Sequence, residues 1–160
     1  MPDPLAGHSD QHRPLGAYGL LTAIFNIAVV ASVVVAGRRG RLPQRYGAGD
    51  LVLVAAATAK LSRLVARDRV TSAIRAPFTR FEEDAGHGEV DEAARGRGLQ
   101  RAIGELVVCP YCLAQWIAAA LVAGLALAPR ATRAVAAIFT VFGLSDLLQL
   151  GRSALEERAT

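Results

Sequence analysis

Residues 15–36 contain no charged side chain, and their only strongly polar member is Asn26. A helix of about 20 such residues is what a bilayer core requires. A chain that begins this way has few soluble solutions, because a helix apolar on every face has no side to turn toward water. A second charge-free run covers 106–128, and a third, 134–150, is interrupted only by Asp146. These three read as membrane spans. Segment 50–66 is shorter and carries Lys60 and Arg63, so it could span, lie in the interface or pack inside the others.

The first run is longer than the roughly 7 to 15 residues of a signal-peptide core. Arg38, Arg39 and Arg41 follow it where a small-residue cleavage site would be. It is therefore expected to be a retained helix. The predicted fold is all-α: an integral membrane helical bundle of four spans (15–36, 50–66, 106–128, 134–150), or three if 50–66 does not cross. A flexible tail through residue 14 precedes a single membrane domain over 15–150, and a charged tail, 151–160, follows it.

Between the second and third spans lies a polar segment, 67–105. Over residues 67–101 it holds seven arginines against seven acids, so it is locally neutral. Gly86, Gly88, Gly96 and Gly98 make its second half read as a flexible loop. Lys and Arg concentrate on the cytoplasmic side of membrane proteins. With four spans the split is ten against six, and with three it is fifteen against three. Both counts put the polar segment and the C-terminus in the cytoplasm, in a multi-pass protein of the cell membrane.

A net charge of +4 and a pI near 9.7 could indicate nucleic-acid binding. In a membrane chain the same arginines set orientation and touch lipid headgroups, and no RNA- or DNA-reading motif is present. No nucleotide-binding glycine loop, hydrolase elbow or paired-carboxylate motif appears either; Arg95-Gly96-Arg97-Gly98 lacks phosphate-loop spacing.

The most specific short motif is Cys109-Pro110-Tyr111-Cys112. Proline favours the first turn of a helix, which puts Cys109 at or beside the N-cap of the third span and Cys112 one turn in. A helix N-terminus favours the thiolate, as in dithiol oxidoreductases. Two thiolates at this spacing also make half of a tetrahedral zinc site. His8, His12, His87 or a second copy of the chain would then complete it. A structural or inert pair is the third reading. Quinone-linked thiol oxidases place a C-x-x-C at a helix end, but they use further cysteines, and this chain has two.

Lys60, Arg63, Glu105, Cys109 and Asp146 should lie at similar depth near the cytoplasmic face, and a contact of Lys60 or Arg63 with Asp146 is expected. Arg69, Arg75 and Arg80 are interleaved with Thr71, Ser72 and Thr79, a pattern suited to a phosphate or lipid headgroup. With Phe78 and Phe81 dipping into the interface, the same residues would serve as membrane anchors. The candidate contacts with lipid or a partner are thus Lys60, Arg63, Arg69, Arg75, Arg80, Glu105 and Asp146.

Several stretches in fixed order resemble a bacterial family known only as a domain of unknown function, some members of which are associated with spore formation. They are Lys60 to Leu64, Asp68-Arg69-Val70-Thr71-Ser72, Arg75-Ala76-Pro77-Phe78-Thr79, Gly88-Glu89-Val90, Arg95-Gly96-Arg97-Gly98-Leu99, Ala102-Ile103-Gly104-Glu105-Leu106 and Cys109 to Trp116. The chain departs from that pattern at Ala93-Ala94. The resemblance implies a small multi-span membrane protein and carries no activity. The expectation is a non-enzymatic membrane component that contacts lipid, a membrane protein partner or a second copy through its Arg-rich segment. The alternative is a dithiol redox or metal-binding protein using Cys109 and Cys112.

Overall fold

The computed structural model describes residues 13–159. The chain is mostly helical: α1 (Leu15–Arg38), α2 (Ala48–Arg67), a single turn α3 (Ser72–Arg75), α4 (Gly98–Val107), α5 (Pro110–Leu127) and α6 (Pro129–Ala159). An antiparallel hairpin of β1 (Thr79–Gly86) and β2 (Glu89–Ala94) stands between α3 and α4.

Three of these helices, Leu15–Arg38, Pro110–Leu127 and the Pro129–Arg158 stretch of α6, are long and apolar enough to cross a membrane. Their apolar side chains are mostly not buried within the chain. Ile27, Val30, Ile138, Val141, Leu147 and Leu148 are all exposed. The interior is instead built by α2 against α5 and α6, where Val54, Ala57, Leu121, Leu125 and Ala136 form the core. Ala57 and Ala136 are fully buried, and small side chains at a contact let helix backbones approach closely. Gly124 of α5 faces Thr132 of α6 so tightly that a Cβ there would lie 2.6 Å from the Thr132 hydroxyl.

Side-chain contacts fix the directions of the helices. Asp50 meets Arg133, Thr140 donates to the Leu53 carbonyl and Lys60 meets Asp146, so α2 and α6 run the same way. Tyr18 reaches Glu105, Phe25 packs edge-on against Trp116 and Arg41 donates to the Leu127 carbonyl. α1 is therefore parallel to α5, and the four long helices alternate in direction. The starts of α1 and α5 and the end of α2 lie at one end, together with the hairpin.

The hairpin corrects the all-α expectation and the flexible loop read from the glycines. Gly86, His87 and Gly88 adopt φ of 79°, 51° and 80°, a conformation glycine enters at little cost and which closes a tight turn. The pairing runs from Thr79↔Ala94 to Gly86↔Glu89, with irregularities between Phe81 and Glu83 and between Asp84 and Gly86. Residues 98–107, expected to be loop and then the start of the third span, instead form α4. The chain then breaks, and α5 opens at Pro110 with Cys109 as its N-cap. Proline has no N–H to donate back into a preceding turn, so it suits a helix start and not an interior.

Candidate functional site

The densest polar construction in the chain joins α3 to the hairpin. Arg75 is 1% exposed, and an arginine so placed must satisfy all five N–H groups internally. Its Nε and Nη2 donate to the two Glu92 carboxylate oxygens at 3.1 and 2.9 Å. Nη1 donates to the Val65 carbonyl at 2.7 Å and the Thr71 hydroxyl at 2.6 Å, and Nη2 also reaches the Asp68 carbonyl at 3.1 Å. The Ser72 and Thr79 hydroxyls each donate to Glu92 at 2.6 Å. Burial pushes the Glu92 carboxyl up, but the Arg75 guanidinium and these two hydroxyls outweigh it and hold it below the usual carboxylate range. Arg75 and its neighbouring hydroxyls thus face inward, away from the surface. The interleaving of arginine and hydroxyls, read as a headgroup pattern, serves an internal carboxylate.

A second layer ties the hairpin to α2. Arg63 grips both Glu89 carboxylate oxygens along one guanidinium edge, Nε and Nη2 donating at 2.5 and 2.9 Å. Arg67 pairs with Asp91, and Arg69 pairs with Asp84 at 2.8 Å. The Arg69 amide also donates to the Gly88 carbonyl, fixing the turn against the end of α2. Arg80 is exposed and lies 3.8 Å from Glu82. Phe81, Val70 and Ile74 are exposed on the same module.

Lys60 and Asp146 form an ion pair between α2 and α6, and the Lys60 ammonium lies 3.8 Å over the Phe142 ring. Glu105 does not join them. It sits on α4, not on the third span, where it accepts from Tyr18 and, at 2.9 Å, from Arg101. Burial raises the Glu105 carboxyl, and these two donors more than reverse that, leaving it lowered.

Cys109 and Cys112 are joined as a disulfide, with their Cα atoms 5.2 Å apart. The Cys112 amide donates to the Cys109 sulfur at 3.2 Å, the bond that caps α5. Tyr111, between them, is 90% exposed and borders, with Arg63, Arg67 and Gln115, a groove between α2 and α5. Among the described residues no group of three or more His, Cys, Asp or Glu is arranged to hold a metal. His8 and His12, considered as zinc ligands, lie outside the described residues.

Sequence reasoning missed the partners: Glu92, Glu89, Asp91, Asp84 and Tyr18. A usable signal existed for the carboxylates. Glu89 and Asp91 alternate across Val90 after a Gly-x-Gly turn, which is hairpin chemistry.

Over 102 residues the chain is 29% identical to the sporulation protein YjcA of Bacillus subtilis (strain 168), covering 62% of this chain and 86% of that protein. No solved structure matches it. The family model described as a protein of unknown function, DUF1360, matches residues 53–151, well over half of the chain, and the chain belongs to that family.

Proposed function

We propose that this protein is a multi-pass membrane component without catalytic activity, in which α1, α2, α5 and α6 all cross the bilayer. The hairpin module between α2 and α5 sits on the cytoplasmic face and contacts lipid headgroups or a membrane protein partner. The observation that carries this reading is the apolar surface of α1 and α6, exposed along its length. A water-soluble chain rarely leaves such a patch uncovered. The second helix fits because each of its charged residues has a partner: Asp50 with Arg133, Lys60 with Asp146, Arg63 with Glu89 and Arg67 with Asp91. A charge at the membrane is tolerable when paired or near the surface. Arg69, Arg80, Val70, Ile74 and Phe81 form the outward-facing contact set, which suits cationic and apolar insertion at an interface. The name of the Bacillus relative points to spore formation as the process in which to look for a phenotype.

The test is membrane extraction with alkaline carbonate, followed by topology mapping with reporters after residues 47, 95 and 159. Retention in the pellet with cytoplasmic reporters after 95 and 159, and an external one after 47, is expected. Release by carbonate would overturn the membrane reading, and matching reporters after 47 and 95 would reduce the spans to three.

The bonded Cys109 and Cys112 favour a second reading, a dithiol centre. Disulfides persist in oxidising compartments, so a bonded pair on a cytoplasmic face would belong to a redox cycle. Replacing both cysteines by serine separates the readings: unchanged assembly and phenotype would eliminate the dithiol centre.

A further inference from the structure

The groove between α2 and α5 is graded from polar to apolar along its length. From Leu51 to Arg67 it runs about 24 Å at the rise of an α-helix, and its volume is about 840 Å³. At the end near the hairpin its walls are Arg63, Arg67, Tyr111 and Gln115, and toward the other end they are Val54, Ala55, Ala118 and Val122. Two polar side chains along it lack a partner. The Thr58 hydroxyl is buried without a hydrogen bond. Among the described residues the Gln115 amide, one helical turn inside α5, also has no hydrogen-bond partner within the chain. Gln115 is exposed on a helix that the membrane reading places against lipid, where the natural acceptor for an amide donor is a lipid ester or phosphate oxygen.

The charge at the mouth selects among lipids. Arg63 and Arg67 are each already matched by a carboxylate, Glu89 and Asp91. The two arginines of the mouth are thus neutralised by acids standing behind them, and the pairs carry no net excess of positive charge. A headgroup with both a phosphate and an ammonium complements such a surface better than one with a net negative charge.

Resting on the membrane reading above, we propose that this groove binds one phospholipid with a zwitterionic, phosphoethanolamine-type headgroup. The phosphate sits beside Arg63 and Arg67, the ammonium faces Glu89 and Asp91, the Gln115 amide donates to the glycerol region, and one acyl chain lies along Ala55, Ala118 and Val122.

The full chain, purified in detergent, is mixed with equimolar phosphatidylethanolamine and phosphatidylglycerol and read by native mass spectrometry. The expected result is one phosphatidylethanolamine per chain, retained in preference to phosphatidylglycerol. Gln115→Leu, which keeps the exposed helical position, should lower its occupancy about tenfold, the loss of a single good polar contact. Ala118→Trp should abolish binding by filling the groove; thermal melting of both variants shows whether they remain folded. Preference for phosphatidylglycerol, or undiminished binding by folded Gln115→Leu and Ala118→Trp, would overturn the proposal while leaving a membrane-embedded chain intact. Carbonate release of the unmodified chain is the separate outcome that removes the membrane reading itself.

Discussion

Arg75 and Glu92, 17 residues apart in sequence, meet edge to edge in the interior with two hydrogen bonds of 3.1 and 2.9 Å. Every other donor of the guanidinium goes to a carbonyl or hydroxyl of the α2–α3 corner. This pair therefore holds β2 against the end of α2. Arg75→Ala leaves a buried carboxylate without its cation and should cost about 3–5 kcal/mol. Glu92→Ala should cost a similar amount, and the double variant less than the two together. Protease cutting within 79–94 of the detergent-solubilised protein measures this. Equal resistance in the single variants and the unmodified chain would remove the pair from the fold's support.

The same carboxylate sets a pH dependence. Glu92 is held below the ordinary glutamate value of about 4.3, so the unfolded state binds its proton more readily than the folded one. Its stabilising contribution is complete above that value and is lost as pH falls through the lower, folded value. Hydrogen-exchange protection of the β1–β2 amides should be constant from neutral pH to about 5 and should decline in more acidic solution. Glu92→Gln should flatten that decline.

Lys60 and Asp146 clamp α2 to α6, with Lys60 only 12% and Asp146 36% exposed in their side chains. Because Asp146 is only partly enclosed by the chain, Lys60→Met or Asp146→Asn should cost about 1–2 kcal/mol, between the values for surface and buried pairs. The exchanged variant, Lys60→Asp with Asp146→Lys, should recover part of the loss. Thermal melting in detergent reads all three, and a swap no better than the single changes would contradict a direct pairing.

Gly104 packs α4 onto the hairpin. A Cβ there would lie 2.5 Å from the Phe78 carbonyl and 2.9 Å from the Ala94 Cβ. Backbone blocks the first of these, so Gly104→Ala should force α4 outward at a cost of about 1–3 kcal/mol. Gly16, which has open space around it, is the control: Gly16→Ala should leave the melting temperature unchanged or slightly raised.

The apolar helices were legible because their information is local. An absence of charge from Leu15 to Ala36 can be read without knowing any neighbour, and so can the proline that starts α5. α2 was ambiguous for the opposite reason. Its Lys60 and Arg63 look costly in a span until Asp146 and Glu89 are placed beside them, 86 and 26 positions away. The hairpin was hidden by composition: Glu82, Glu83 and Asp84 are poor strand formers, and Gly86 and Gly88 read as flexibility when they in fact close a turn. Arg75 was singled out for the right residue type and neighbours, but its orientation depends on Glu92, which only the turn brings within reach.

The pairing of α2 with later parts of the chain has a consequence for biogenesis. When α2 leaves the ribosome, neither the hairpin acids nor α6 has yet been made. Its Asp50, Lys60, Arg63 and Arg67 have no counter-charges at that moment, and a helix so charged partitions poorly into lipid by itself. Two of these, Asp50 and Lys60, gain their partners Arg133 and Asp146 only once α6 has been made. In the proposed four-span arrangement, a ribosome-bound chain truncated before α6 would leave this segment peripheral, and its entry into the bilayer would follow the synthesis of α6.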